Sequence, residues 1–170
     1  MHFYYQHIQT PLGRMTAVVN EHALLSLSFT DSKDYHTAWE KLQRQGTLIQ
    51  TSTHPVIHQI ANELEAYFHG ASKQFKTPIA YVVGTPFQQE VWHALQQLSY
   101  GEQVTYSTIA KAIGKPKSVR AVSTAIGLNP LSIIVPCHRV LRKDGRLGGF
   151  NSGIHRKKYL LTLEGSHWHE

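Results

Sequence analysis

The chain has 170 residues, of which 41% are hydrophobic and 16% charged, and it carries a formal net charge of +6. That length buries one core or two small ones, the composition is that of an ordinary globule, and no apolar run approaches a membrane span. The single cysteine, Cys137, excludes an internal disulfide and points to the reducing cytoplasm.

The charge is unevenly placed. Residues 1–85 carry six Lys/Arg and six Asp/Glu, whereas residues 86–170 carry eleven Lys/Arg and five Asp/Glu. The whole excess therefore lies in the half that holds the cysteine, as in a domain that binds a polyanion. The opening "MHFYYQHIQT" has neither a basic region nor an apolar stretch of the kind that precedes export, so no signal peptide is expected.

In chain order, "HFYYQHIQ", "RMTAVVN" and "ALLSLSF" are rich in β-branched and aromatic residues and are separated by turn signals at Pro11–Gly13 and Asn20. They predict an antiparallel meander. From "DSKDYHTAWEKLQRQG" the period lengthens, with Tyr35, Ala38, Trp39 and Leu42 on one helical face. A second helix follows Pro55, carries Ile57, Ile60, Ala61, Leu64 and Phe68 in register, and stops at Gly70. "ASKQFKTPIAYVVG" reads as an extended linker, which places a domain boundary between residues 1–80 and 81–170.

The second half opens on a helix start, with Thr85 as N-cap, Pro86 at the first helical position and Gln88 completing a capping box. The stripe Phe87, Val91, Leu95 and Leu98 runs to a stop at Gly101. Two short helices follow, Ser107–Ile113 and Ser118–Ile126, joined by the basic turn "GKPK", a pattern that fits a helix-turn-helix or a plain αα-hairpin. A last helix covers Ile154–Glu164, with Tyr159, Leu160 and Leu163 on its apolar face, and the tail "HWHE" is expected to fray.

"SIIVPCHRVL" places Cys137 after a β-branched run that Pro136 breaks, so the thiol is expected at a strand end. His138 and Arg139 offer a base and a positive field, both of which favour the thiolate. Adjacent residues of an extended strand face opposite ways, so Cys137 and His138 meet only if the chain turns after Pro136 or a water bridges them. A third group must then hold the imidazole, and Glu164, at the end of the last helix, is the best placed of the five acids in this half. A thiol used this way either forms a thioester that water releases or accepts an alkyl group as a thioether that water does not cleave. The second chemistry needs no metal and no cofactor.

With these residues in view, the chain resembles the O6-alkylguanine-DNA alkyltransferases (methylated-DNA–protein-cysteine methyltransferases) of the bacterial single-polypeptide type. "IVPCHRV" at 134–140 matches the family's active-site signature, and the likeness runs through "GTPFQQEVW", "VTYSTIAKAIGKPKSVRAV", "GLNP", "GGF" and "LLTLEG". It covers residues 84–165, while the first 80 match in general style only. The resemblance implies an α/β (α+β) fold: a ribonuclease-H-like small antiparallel sheet with helices, then a mostly helical, winged-helix-like domain containing the helix-turn-helix. It also implies repair of O6-alkylguanine, and of O4-alkylthymine, in double-stranded DNA by irreversible alkyl transfer to Cys137, in a monomeric cytoplasmic protein.

On that resemblance His138 deprotonates Cys137 through a water, Glu164 orients His138, and Tyr106 protonates the departing guanine. Asn129 braces the turn before the active site, and Arg120 fills the duplex where the nucleotide is flipped out. Ser107, Lys115 and Lys117 contact phosphates. Phe150, where relatives commonly carry tyrosine, and Ser152 wall the alkyl pocket. The helix "SVRAVSTAIG" is lined with small residues that suit a minor groove read without sequence preference. No N-terminal zinc cysteines are present, and the pair His54 and His58 lacks a third ligand. Two alternatives stand beside this reading: a non-catalytic relative that binds alkylated DNA, in which the signature cysteine is replaced, and a cysteine hydrolase.

Overall fold

Strands β1 (His2–Thr10), β2 (Gly13–Val19) and β3 (Leu24–Phe29) form the expected antiparallel meander, in register from Tyr4↔Val19 to Thr10↔Gly13 and from Met15↔Phe29 to Val18↔Ser26, with a register shift between Val18 and Val19. Every residue of β2 from Met15 to Val19 is buried, as is most of β3, which explains their near-continuous apolar runs. A fourth strand, β4 (Thr47–Gln50), pairs parallel with β1 and gives the order β3-β2-β1-β4. The sequence carries no signal for it, because "TLIQ" is short and mostly exposed, as edge strands are, and shows no alternation.

The computed structural model describes residues 1–170, which divide into the units Met1–Val83 and Gly84–Glu170. Helices α1 (Tyr35–Gln43) and α2 (Pro55–Phe68) complete the first unit. His54 caps α2, its Nδ1 accepting from the Val56 amide at 3.2 Å, while the His58 ring donates to the Ser52 carbonyl at 2.9 Å. Glu63 on α2 accepts from the amides of Lys76 and Thr77 at 2.9 and 3.0 Å, which ties down the extended segment that follows.

In the second unit α3 (Pro86–Gln96) starts with the expected Thr85–Gln88 capping box. It ends before Gly101 because Gln97 and Leu98 bond to carbonyls three residues back, and Glu102 turns the chain by accepting from the Ser99 amide at 2.8 Å. Helices α4 (Tyr106–Ala112) and α5 (Val119–Gly127) form the helix-turn-helix, with Val122, Ala125 and Ile126 of α5 buried. Trp92 of α3 donates to the Ala125 carbonyl at 2.8 Å and fixes α5 against it. A two-stranded parallel ladder, β5 (Val104–Thr105) with β6 (Val140–Leu141), supplies the wing-like part, and α6 (Ile154–Leu163) closes the unit. Tyr159 faces outward on α6, not into the core.

The C-terminal tail does not fray. Trp168 packs on Leu141, Leu147 and Leu161, and the His169 amide donates to the Gly145 carbonyl at 2.8 Å. The large apolar area of one tryptophan holds the segment down. No helix is long and apolar enough to cross a membrane.

Candidate active site

The β-branched run before the cysteine is a turn, not a strand. Asn129 reaches back into it: its side-chain oxygen accepts from the Leu131 amide at 2.9 Å and its nitrogen donates to the Val135 carbonyl at 2.8 Å. Ile133 sits in the left-handed region at φ 73°, the one non-glycine residue to do so. A buried β-branched side chain there stores about 1–3 kcal/mol. Pro136 then leads into a single 3-10 turn, Cys137–Arg139. Local hydrogen bonding to Asn129 thus replaces a ladder that has no partner strand.

One 3-10 turn places consecutive side chains about 120° apart, so thiol and imidazole diverge and no hydrogen bond joins them. His138 is fully buried and its Nε2 lies 2.7 Å from Glu164 Oε2. The carboxylate accepts, so the proton sits on Nε2 and Nδ1 carries the lone pair. Nδ1 is buried and has no hydrogen-bond partner within the protein. Burial pushes the imidazole below its ordinary pKa, against the Glu164 hydrogen bond and charge, which push it up. The resting imidazole is therefore a neutral base.

Arg139 does not supply a field for the thiolate. Its guanidinium grips Glu164 through two bonds, Nε to Oε1 at 2.8 Å and Nη2 to Oε2 at 3.0 Å, and donates to the Leu98 carbonyl at 2.8 Å. The Gly101 amide adds a bond to Glu164 Oε1 at 3.1 Å. One carboxylate at the end of α6 thereby holds His138, Arg139 and the turn after α3.

The cation that does face Cys137 is Lys157, a residue missed in the sequence. It is 1% exposed and donates to the carbonyls of Val140 at 2.7 Å, Leu147 at 2.6 Å and Gly149 at 3.3 Å. Burial lowers its pKa to about 8, with the cysteine charge pushing the other way. A signal was present: Lys157, Leu160, Leu161 and Glu164 share one stripe of α6, so two ionisable groups occupy a face that apolar residues define. Burial raises the Cys137 thiol above its ordinary pKa, opposed by the Asn129 side chain and by Lys157. Cys137 is 8% exposed and rests as a protonated thiol.

Tyr106 opens α4, close enough to Cys137 for the thiolate charge to act on its phenol. A Cβ on Gly148, at φ +70°, would meet the Tyr106 hydroxyl at 2.7 Å, so glycine there is what lets the phenol in. Burial raises the Tyr106 pKa, the Cys137 charge adds to this, and Arg142 opposes it. Phe150 lies 5.9 Å from Lys157 Nζ, Ser152 is buried, and its carbonyl accepts from Arg156 at 2.8 Å. Asn151 donates to the Gly127 carbonyl, which joins this loop to the end of α5.

The remaining predicted residues lie on the helix-turn-helix. Arg120 is exposed on α5 together with Ser123 and Thr124. Ser107 is half-buried, 3.0 Å from Thr105 Oγ1 in the N-cap of α4. Lys117 is exposed, whereas Lys115 pairs with Glu90 at 3.0 Å and lies over the Phe87 ring.

A lone thiol, a neutral imidazole held by a carboxylate, a phenol and a helix-turn-helix in one unit define a cysteine-nucleophile protein built on a nucleic-acid-binding fold. Residues 3–81 match the family model of the 6-O-methylguanine DNA methyltransferase ribonuclease-like domain, and residues 86–166 that of its DNA binding domain. The chain belongs to this family.

It is 38% identical over 161 residues to the methylated-DNA–protein-cysteine methyltransferase of Haemophilus influenzae, covering 95% of this chain and 86% of the relative. To that of Methanosarcina acetivorans it is 39% identical over 163 residues, covering 96% and 99%. Among solved structures, the Mycobacterium tuberculosis O6-methylguanine methyltransferase superposes with a TM-score of 0.80 at 36% identity, over 95% of this chain and 92% of that one. The Mycobacterium tuberculosis OGT in complex with DNA gives 0.83 at 35% identity, over 96% and 92%.

Proposed function

We propose that this protein reverses alkylation damage in duplex DNA by moving the alkyl group of O6-alkylguanine, and of O4-alkylthymine, onto Cys137. The observation that carries the reading is the lone thiol beside a neutral, carboxylate-held imidazole in the same unit as a helix-turn-helix. Family membership supports the same activity.

The thiol proton passes through a water to His138 Nδ1, the one lone pair of the imidazole left open. Sulfur attacks the alkyl carbon as the carbon–O6 bond breaks, and the electron pair leaves with the guanine. Tyr106 protonates that anion and is reprotonated through water at the expense of the His138 imidazolium, so the net exchange is thiol hydrogen for alkyl group. Glu164 stabilises the charge that develops on His138, and Lys157 stabilises that on sulfur. The thioether is not hydrolysed, so each molecule acts once.

The target atom lies inside the base stack, so the nucleotide is flipped, with Arg120 of α5 filling the gap. The small residues Ala121, Ser123 and Thr124 on the exposed face of α5 allow close approach to a minor groove. Asn129 holds the turn that carries Cys137, and Phe150 and Ser152 wall the alkyl pocket. Ser107, Lys115 and Lys117 contact phosphates, Lys115 by exchanging Glu90 for the backbone. The protein works as a monomer in the reducing cytoplasm, where its thiol stays free.

Mass spectrometry after incubation with O6-methylguanine DNA tests this. The expected result is one methyl on the Cys137 peptide, saturating at one per protein, with Cys137→Ala inert yet still bound to alkylated DNA. Continued turnover would mark a hydrolase, and methyl uptake by the alanine variant would overturn the assignment.

A further inference from the structure

The cations of the second unit fall into distinct sets. Arg139, Arg156 and Lys157 are buried. Lys115 is paired with Glu90, and Lys158 lies 3.6 Å from Glu170. Six exposed cations remain, and they form two groups: Lys111, Lys117 and Arg120 on the helix-turn-helix, and Arg142, Lys143 and Arg146 in the loop after β6. The second group carries as many exposed positive side chains as the first, and nothing in the alkyl-transfer mechanism uses Lys143 or Arg146.

This loop is a formed hairpin. The Arg142 amide donates to the Arg146 carbonyl and the Gly145 amide to the Arg142 carbonyl, each at 2.9 Å, and Asp144 accepts from the Arg146 amide at 3.0 Å. The tail fixes its tip: His169 bonds to Gly145, at φ +83°, where a Cβ would strike the imidazole at 2.4 Å. Asp144 lies 3.3 Å from Arg142 and 3.9 Å from Arg146, so one carboxylate orients two guanidinium groups and leaves a net charge of +2. At its root the Arg142 stem reaches the spot above Gly148 where the Tyr106 hydroxyl also lies.

We propose that the hairpin 142–146 is a second phosphate-binding element, which grips the DNA backbone beside the acceptor pocket independently of the helix-turn-helix. The proposal rests on duplex DNA being the substrate. Guanidinium forks suit phosphate oxygens, and a hairpin rooted beside Gly148 and the Tyr106 hydroxyl holds the gripped strand near the groups that receive the flipped base. Two anchors on either side of one nucleotide hold the backbone while it rotates.

The test is the salt dependence of affinity for an undamaged duplex, compared between the wild type and Lys143→Ala/Arg146→Ala. Each lost phosphate contact reduces the slope of log K against log salt by about 0.9, so the double variant should lose about 1.8 and each single variant about half of that. Lys143→Arg/Arg146→Lys should keep the wild-type slope. An unchanged slope in the alanine variants overturns the proposal, as does weaker binding at unchanged slope, which would mean that the residues only shape the loop. Should the double variant fail to fold, Lys143→Ala alone provides the measurement with one exposed side chain changed and an expected loss of about 0.9 in slope. Methyl uptake by the wild type is read in parallel: its absence overturns the functional reading, whereas normal uptake with an unchanged slope overturns the hairpin alone.

Discussion

His138 and Glu164 meet at 2.7 Å with neither side chain exposed, across 26 positions of sequence. Glu164 also neutralises Arg139, so the orienting role proposed for it is joined to a structural one. Glu164→Gln leaves a buried guanidinium without its counter-charge, a change that costs about 3–5 kcal/mol. The expected outcome is a fall in melting temperature together with slow transfer. Arg139→Gln/Glu164→Gln should recover part of the stability but none of the rate, and recovery of both would show that Glu164 serves only the fold.

Tyr106→Phe removes the proposed proton donor and keeps the ring that packs by Gly148. General acids contribute about 100- to 10,000-fold, so transfer from O6-methylguanine should slow within that range. The loss should shrink for a purine whose anion leaves more easily. A loss of the same size for both leaving groups would assign the phenol to positioning.

Transfer should depend on pH on both sides of neutrality. His138 must be neutral to accept a proton, and its pKa is pushed down by burial, so the rate should hold down to about pH 6.5 and decline only in more acid solution. Lys157, at about 8, loses its charge as the pH rises through that value and with it the support for negative sulfur. Because burial holds the thiol above its ordinary range, ionisation of Cys137 does not compensate there. Single-turnover rates across pH 5–10 should therefore fall above about pH 8, and Lys157→Met should be slow and lack that alkaline limb. A wild-type rate that climbs steadily through pH 9 would remove Lys157 from the mechanism.

Arg120 is exposed on α5. Arg120→Ala should slow repair in duplex DNA by at least about tenfold, the effect of losing about 1.4 kcal/mol. Reaction with a free O6-substituted guanine should change far less. Comparing the two rate constants in one preparation decides the point, and equal losses would place Arg120 in the chemistry or the fold.

By itself the sequence determined the local structure: the meander, the capping box at Thr85, the paired short helices and the one candidate nucleophile. Alternation, helical stripes, caps and a unique cysteine are properties of neighbouring residues and need no partner elsewhere. Where the partner is remote, neighbouring residues mislead or leave the structure open. "SIIV" has strand propensity, yet Asn129 makes it a turn; Arg139 has the charge to favour a thiolate, yet that charge belongs to Glu164; Lys157 looks like a surface lysine, yet three carbonyls bury it. Edge strand β4 and the Trp168 anchor were invisible for the same reason. Tertiary structure decided those cases, because burial and charge pairing depend on which segments fold together, and a buried charge takes its role from the nearest group that satisfies it.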